Sequence, residues 1–169
     1  MSSKNVQKTL IVFKPDAVQR GIVGEILTRF ERVGLKMVGT KMIAPDREHY
    51  FKHYEEIGKV QTRHGEQVLN VTLDSMSKGP VVAIVLEGVE AIALVRKLVG
   101  STEPKTAAPG TIRGDYSHMS YGYADEVAKG IPNLIHASAD EKEAEEEISH
   151  WFADSELYEY ELPNEKFTR

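Results

Sequence analysis

The sequence contains no cysteine among its 169 residues. Disulfide bonds, thiol nucleophiles and cysteine-ligated metal sites are therefore excluded. A surplus of basic residues is also missing, because 21 Lys and Arg stand against 26 Asp and Glu. The net charge is −5 and the pI is near 5.7. Proteins dedicated to DNA or RNA are usually basic, so this balance disfavours a nucleic-acid partner.

Long hydrophobic runs are absent as well. The run "TLIVF" at 9–13 is too short for the core of a signal peptide or for a membrane span, and the residues before it are polar. We therefore expect a cytoplasmic protein without a membrane partner. A hydrophobic content of 41% over 169 residues suits one compact domain, which we predict to span residues 1–169.

Motifs of two large phosphotransferase classes are missing too. The sequence has no G-x-x-x-x-G-K-[ST] phosphate loop and neither the H-R-D nor the D-F-G motif of protein kinases. By its motifs the chain is therefore neither a P-loop enzyme nor a protein kinase.

Hydrophobic patterning predicts four strands with helices between them. The strands are predicted in "TLIVF", "LKMVGTKMI", "PVVAIVLEG" and "NLIHA". Helices are predicted over 23–33, over 46–77 with a break near 58–65, over 89–99 and over 140–152. The polar segment 101–130 is predicted to be a long loop, and such loops are usually functional. This order predicts an α+β fold, a ferredoxin-like sandwich with a four-stranded antiparallel sheet covered by helices.

His136 precedes a strongly acidic helix and draws attention because of that position. The sequence Ser138-Ala139-Asp140-Glu141 matches a capping box, in which the Ser138 hydroxyl caps the helix. Free N–H groups at a helix start favour anions, phosphate above all. A neutral imidazole in that place can accept a phosphoryl group, although a structural histidine is the alternative.

The helix after His136 offers a carboxylate at the edge of its buried face. Its apolar stripe is formed by Ala144, Ile148, Trp151 and Phe152. Glu147 flanks this stripe, whereas Glu143, Glu145 and Glu146 are expected to face water. A carboxylate at such an edge can hold the ring of a nearby histidine.

Three cations are placed at ends of elements or in loops, where phosphoryl transfer would need them. They are Lys14 after the first strand, Arg96 late on a helix and Arg113 in "PGTIRGDY". A surface charge is the alternative for each. We expect Arg113→Ala to reduce turnover while leaving the fold intact. His49 and His53 have the i, i+4 spacing of a metal-binding pair, but surface or packing roles are favoured and no protein metal site is predicted.

Three motifs together resemble the nucleoside diphosphate kinase family. They are K-P-D at 14–16, P-G-T-I-R-G-D at 109–115 and N-x-x-H-A-S at 133–138. The matching segments run in the family's order and span nearly the whole chain. The resemblance implies transfer of a γ-phosphate from a nucleoside triphosphate to a nucleoside diphosphate by a ping-pong mechanism with a phosphohistidine intermediate.

The resemblance also assigns residues to this chemistry. It implies that His136 is the nucleophile, reacting through Nδ1, and that Glu147 and Ser138 hold its ring. The family's phosphate and ribose contacts fall on Lys14, Tyr54, Arg96, Thr102, Arg113 and Asn133. Lys14 also counts as catalytic, because it lies near the transferred phosphate. Mg²⁺ is implied as a cofactor that arrives with the nucleotide and is held by its phosphates.

The chain departs from the family in two insertions, near 58–78 and near 115–132. The first contains no aromatic residue where the family stacks a phenylalanine on the base, and His64 and Val60 are the candidates to cover it. The second carries three tyrosines and His118, and either leans over the nucleotide, builds a subunit contact or has no role. Ala139 replaces a family aspartate, from which we expect no loss of activity.

The family's assembly suggests a homo-oligomer, and we expect a hexamer with the dimer as its basic unit. The segment "STEPKTAAPG" resembles the loop around the threefold axis of hexamers, and the C-terminal "YEYELPNEKFTR" is a candidate to wrap a neighbouring subunit. The alternative function is a nucleotide-binding regulatory protein of the same fold with little turnover. A nucleic-acid module on this fold is a third class, which lacks a basic face and stacking aromatics.

Overall fold

The computed structural model describes residues 4–169 and is built on one four-stranded sheet. The strands are β1 (Val6–Phe13), β2 (Lys36–Ile43), β3 (Val81–Val89) and β4 (Ile135–Ala137), in the order β2-β3-β1-β4. Every neighbouring pair is antiparallel. The predicted α+β sandwich with a four-stranded antiparallel sheet is thereby confirmed.

Ten α-helices lie on or beside this sheet within the described residues. They are α1 (Pro15–Gln19), α2 (Val23–Arg32), α3 (Arg47–Phe51), α4 (Val60–His64), α5 (Glu66–Met76), α6 (Ala91–Val99), α7 (Ile112–Tyr116), α8 (Tyr121–Glu126), α9 (Glu141–Trp151) and α10 (Glu165–Thr168). Helix α3 continues into a π-helical segment, Lys52–Ile57. Short 3₁₀ turns occupy Pro104–Thr106 and Asp154–Glu156.

The alternation of side chains along β1 divides the core into two layers. Ile11 and Phe13 belong to the core shared with α2 and α6, whereas Leu10 and Val12 belong to the core shared with α3, α5 and α9. Residues paired directly across two strands point to the same face. His136 of β4 is paired with Val12. Its ring is therefore placed on the α9 face of the sheet.

The segment 101–130 is not the structureless loop that the sequence suggested. It contains a 3₁₀ turn and the helices α7 and α8. Thr111 Oγ1 accepts a hydrogen bond from Gly114 N–H at 3.1 Å, and Ser120 Oγ accepts one from Tyr123 N–H at 3.2 Å. These caps start helices of five and six residues, which are too short to give a hydrophobic period.

The C-terminal segment packs on its own chain. Tyr158 N–H donates to Val38 O at 2.8 Å, and Lys36 Nζ donates to Tyr160 O at 2.8 Å. Arg169 forms an ion pair with Glu87 at 2.9 Å. The segment thus covers the edge strand β2, which would otherwise present unpaired backbone groups. Among residues 4–169, no helix is both long enough and apolar enough to cross a membrane.

Candidate active site

His136 stands at the centre of a short chain of hydrogen bonds. Its Nε2 lies 2.7 Å from Glu147 Oε1, and the Ser138 hydroxyl donates to Glu147 Oε2 at 2.6 Å. Ser138 Oγ in turn accepts from Leu10 N–H at 3.2 Å, which ties the group to β1. Glu147 and Ser138 are fully buried. The structure therefore brings together the three residues that the sequence grouped around the histidine.

These contacts define which ring nitrogen is available. When Glu147 is ionised, both of its oxygens accept, so Nε2 carries the proton and Nδ1 keeps its lone pair. Within residues 4–169, no hydrogen bond engages Nδ1. The His136 side chain is 17% exposed and lines a cavity of about 580 Å³. The ring is thus fixed through Nε2, and Nδ1 remains available on the side of the cavity.

Ser138 does not cap the helix, so that prediction was wrong. Helix α9 is capped by Asp140, whose carboxylate accepts from Glu143 N–H at 2.9 Å. The Glu143 carboxylate accepts from Ala139 N–H at 3.2 Å, is half-buried and lines the cavity instead of facing water. The capping motif is shifted by two residues, and the shift frees the Ser138 hydroxyl for Glu147. Glu145 and Glu146 are exposed, as the sequence suggested.

The surroundings keep the His136 imidazole uncharged. Burial is the main cause that lowers the pKa of His136 to about 3. The negative charge of Glu143 opposes this shift, and three nearby positive charges add to it. These are Lys14, Arg113 and Arg96. A ring with so low a pKa is neutral, and hence nucleophilic, throughout the physiological pH range.

A second chain of hydrogen bonds holds Lys14 at the cavity. Lys14 follows the last residue of β1 and precedes Pro15 at the start of α1. Its Nζ donates to Asn133 Oδ1 at 2.6 Å, and Asn133 Nδ2 donates to Thr102 O at 2.8 Å. Burial and, to a smaller extent, the charge of Arg113 lower the pKa of Lys14 to about 8. The ammonium group is therefore fixed in position and mostly charged at neutral pH.

Arg113 is more deeply built into the protein than the sequence implied. It is only 8% exposed, and burial lowers its pKa to about 10. Its Nε donates to Asn133 O at 3.1 Å, Nη1 to Gly100 O at 3.1 Å and Nη2 to Ile135 O at 2.5 Å. A guanidinium has five N–H groups, so one on each terminal nitrogen remains for a ligand. Arg113 thus joins β4 to the end of α6 while it faces the cavity.

The remaining predicted contacts, Arg96 and Tyr54, also line the cavity. Arg96 is exposed in the last turn of α6. The Tyr54 ring centroid lies 6.2 Å from that of His136, and its buried hydroxyl has no partner among the described residues. Burial raises the pKa of Tyr54, so the phenol stays protonated and can donate.

His53 is a member of the site that the sequence did not reveal. The π-helical segment Lys52–Ile57 turns both His53 and Tyr54 toward the cavity, and π-helical turns are often found at functional sites. Its Nδ1 accepts from Trp151 Nε1 at 3.1 Å, and its ring packs edge-on against His136 with centroids 4.5 Å apart. Burial lowers the pKa of His53 well below its usual range, so this ring is also neutral.

His53, His136 and Glu147 form a group of metal-ligand type, with ligand atoms within 4.8 Å of one another. The sequence had paired His53 with His49 instead, and His49 stacks on His150 with ring centroids 3.9 Å apart. Two of the three members are already bonded to each other through Nε2 and Oε1. Their arrangement is suited to holding the His136 ring in a fixed orientation.

Both insertions border the cavity. From the first come Val60, Arg63 and His64 of α4 and Val68, Val71 and Thr72 of α5. From the second come Tyr121, Ala124, Asp125, Lys129, Gly130 and Ile131. The two residues suggested to cover a base, Val60 and His64, are both on the first wall, together with aliphatic side chains of α5.

Comparison with known proteins gives the same identification along nearly the whole chain. Residues 7–157 match the family model described as nucleoside diphosphate kinase. The chain is 49% identical over 160 residues to the nucleoside diphosphate kinase of Borreliella burgdorferi, covering 95% of each. It is 48% identical over 155 residues to that of Pyrococcus furiosus, covering 92% of this chain and 88% of the relative.

Solved structures agree in fold as well as in sequence. A transition state mimic of nucleoside-diphosphate kinase from Borrelia burgdorferi with bound vanadate and ADP superposes with a TM-score of 0.93, at 49% identity and 96% coverage of each chain. A halophilic nucleoside diphosphate kinase from Halobacterium salinarum in complex with CDP superposes with a TM-score of 0.82, at 38% identity, covering 96% of this chain and 98% of that one.

Proposed function

The chain belongs to the nucleoside diphosphate kinase family, a family of phosphotransferases, and from this premise we propose that it transfers a γ-phosphate between nucleotides through a phosphohistidine at His136. The donor is a nucleoside triphosphate and the acceptor is a nucleoside diphosphate. One observation carries the proposal: a neutral imidazole is fixed through Nε2 by a buried carboxylate while its other nitrogen borders a cavity lined with cations.

In the first half-reaction, the lone pair of His136 Nδ1 attacks the γ-phosphorus. An N–P bond forms as the bond to the bridging oxygen breaks, and its electron pair leaves with the nucleoside diphosphate. The ring gains positive character, which the Glu147 carboxylate stabilises through the Nε2–H bond. The second half-reaction is the reverse, with a different diphosphate as the attacking group.

The charged groups around the cavity support this chemistry in two ways. Lys14, Arg96 and Arg113 can spread their positive charge over the migrating phosphoryl oxygens. The fixed hydrogen bond between Lys14 and Asn133 prepares both side chains before the nucleotide arrives, which lowers the cost of ordering them. Tyr54 and Thr102 complete the proposed binding residues.

Mg²⁺ is proposed to arrive as part of the nucleotide substrate. This ion prefers oxygen ligands and is usually held by substrate phosphates with only one or two carboxylates. The cluster of ligand-type residues at the site has two imidazoles and one carboxylate, a set that suits Mg²⁺ poorly. We therefore assign no protein ligand to the metal.

We further propose that residues 1–169 form one domain with insertions near 58–78 and 115–132. The core layers on both faces of a single sheet support this proposal. A homo-oligomer, with a hexamer as the favoured state, is carried over from the family resemblance, and a cytoplasmic location remains the expectation drawn from the sequence. Exposed aromatic side chains near the C-terminus, Tyr158 at 66% and Phe167 at 80%, are consistent with a subunit contact there.

The phosphoenzyme provides the test. The protein is incubated with γ-labelled ATP and no acceptor, and an acid-labile, alkali-stable label is expected that transfers to an added diphosphate. His136→Ala should abolish the label. The control is His118→Ala, which replaces a residue that lines a different cavity and should keep the label. Binding of nucleotide without any labelling of the wild type would instead support the alternative of a regulatory protein with little turnover.

A further inference from the structure

The second insertion presents two different sides through its helix α8. Tyr121 and Ala124 line the same cavity as His136 and Arg113. Tyr123 instead lines a separate cavity of about 660 Å³. One side of α8 is therefore part of the proposed nucleotide cleft, while the other side is not.

Several bonds hold α8 in this position. Tyr121 N–H donates to Glu103 Oε1 at 2.9 Å at the start of the helix, and Lys129 N–H donates to Ala124 O at 2.9 Å at its end. Just before the helix, Lys105 N–H donates to Met119 O at 3.0 Å. The insertion is thus attached to the segment that carries Thr102. These hydrogen bonds fix the insertion in place as one wall of the cleft.

The two insertions also meet each other at Gly130. A β-carbon on this glycine would overlap Ser75 Oγ and would lie 2.9 Å from Val71 O, both on α5. Such a close approach is possible only without a side chain. The contact closes the cleft between α5 and the segment that follows α8.

Tyr121 and Arg113 line the same cavity. Burial raises the pKa of Tyr121, and the positive charge of Arg113 acts in the opposite direction, so the phenol stays protonated. Arg113 retains two N–H groups for a ligand after its bonds to backbone carbonyls. A nucleotide that fills this cavity would therefore meet both the free N–H groups of Arg113 and the phenol hydroxyl of Tyr121, which can donate a hydrogen bond.

We propose that Tyr121 is an additional substrate-binding residue, which contacts the nucleotide beside Arg113, and that Gly130 keeps its supporting wall closed against α5. The proposal rests on the function proposed above, because it assumes that the nucleotide occupies this cavity. Of the three roles that the sequence left open for the second insertion, it selects contact with the nucleotide and names the residue that makes it.

A matched pair of tyrosines on α8 tests the contact. Tyr121 and Tyr123 are 46% and 54% exposed, two residues apart, and differ in which cavity they line. We expect Tyr121→Ala to weaken ADP binding, measured by calorimetry, about tenfold, which corresponds to the loss of one good contact. Tyr123→Ala should bind ADP with wild-type affinity. Equal affinities of the two variants would overturn the proposal.

A pair of glycines tests the wall independently. Gly130→Ala should raise the KM for ADP several-fold, because the new methyl group pushes the segment away from α5. Gly122→Ala adds the same group on α8, where nothing lies within 4 Å, and should leave the KM unchanged. If Gly130→Ala unfolds, the tyrosine pair decides alone. A wild type that forms phosphoenzyme but shows no effect of Tyr121→Ala refutes only this proposal, whereas absence of phosphoenzyme refutes the proposed function.

Discussion

Arg113 combines a structural and a proposed catalytic role, which changes what its substitution should do. Three of its N–H groups donate to the backbone carbonyls of Gly100, Asn133 and Ile135. Buried carbonyls that lose such a partner cost free energy, and the cost is larger when the donor is charged. The expectation that Arg113→Ala leaves the fold intact is therefore replaced by a loss of both stability and turnover.

Arg96, a second arginine of the cavity, serves as the matched control for substitution of Arg113. Arg113→Ala should lower the free energy of unfolding by about 2–4 kcal/mol and reduce kcat strongly. Arg96→Ala should reduce kcat as well but change stability by only about 0.5 kcal/mol, because Arg96 is exposed on α6. Urea unfolding and steady-state kinetics measure the two quantities. Equal stability losses would contradict the structural role of Arg113.

At the level of single residues, the sequence predicted those contacts of the site that join residues close together along the chain. Ser138 and Glu147 reach one another because Ser138 directly follows the buried strand β4 and Glu147 faces inward from the helix that comes next. His53 could not be assigned in this way, since it is 83 positions before His136 and the two rings meet only through the fold. The i, i+4 spacing along one helix suggested His49 as the partner of His53. In the fold, His53 instead accepts a hydrogen bond from Trp151.

At the level of elements, the start of α9 illustrates how a capping motif can be misread. The sequence predicted a Ser138 cap because Glu141 follows three residues later. Asp140 is an equally good N-cap type, however, and Glu143 follows it at the same spacing. In the fold, Ser138 is buried beneath the helix start, where its hydroxyl serves Glu147. Burial, which local sequence does not report, decided between them.

This correction leads to a prediction about Asp140. Asp140→Ala should destabilise the protein by about 1 kcal/mol, because Glu143 N–H loses its acceptor. Asp140→Asn should retain most of the stability, since asparagine caps equally well. Turnover should be unchanged in both variants, as Asp140 does not contact the His136 ring. Urea midpoints provide the measurement, and a fully stable Asp140→Ala would mean that another group caps α9.

The elements that the sequence identified well are those with a long and regular pattern. Strands β1 and β3 and helices α2, α6 and α9 each span eight residues or more. The short helices α4, α7 and α8 and the π-helical segment Lys52–Ile57 were missed or blurred, because five or six residues carry too little periodicity. These short elements line the cavity together with α5, α6 and α9, so part of the proposed site lies where pattern alone could not define the structure.

At the scale of the whole molecule, three buried or half-buried histidines link folding to pH. Burial lowers the pKa of His136 to about 3 and that of His49 to about 4, and it places that of His53 well below its usual range. Burial acts in the opposite direction on two carboxyls, raising the pKa of Glu143 and Glu147. The histidines titrate near 6.5 in the unfolded chain and the carboxyls near 4.5.

The sign of the effect follows from counting protons. Between pH 6.5 and about 4, the unfolded chain protonates these histidines while the folded chain keeps them neutral. The unfolded state then binds more protons, so the free energy of unfolding should fall as the pH is lowered from 6.5. Above pH 6.5 both states hold neutral rings, and the histidine contribution should no longer change with pH. The raised pKa values of Glu143 and Glu147 act in the opposite direction on the free energy of unfolding, but two carboxyls stand against three histidines.

The measurement is urea unfolding at pH 7.5, 6 and 5, with His49→Gln as the comparison. His49 stacks on His150 outside the proposed catalytic residues, so its replacement should keep phosphoenzyme formation. It should also reduce the loss of stability between pH 7.5 and 5, because one of the three titrations is removed. A wild type as stable at pH 5 as at pH 7.5 has two explanations: the rings are protonated in the folded state, or the raised pKa values of Glu143 and Glu147 offset them. The His49→Gln variant separates the two, because it gains stability at pH 5 relative to the wild type only if the folded ring is neutral. A variant with the same pH dependence as the wild type would contradict the neutral state of His49 and, since burial is the shared cause, weaken the neutral nucleophile proposed for His136.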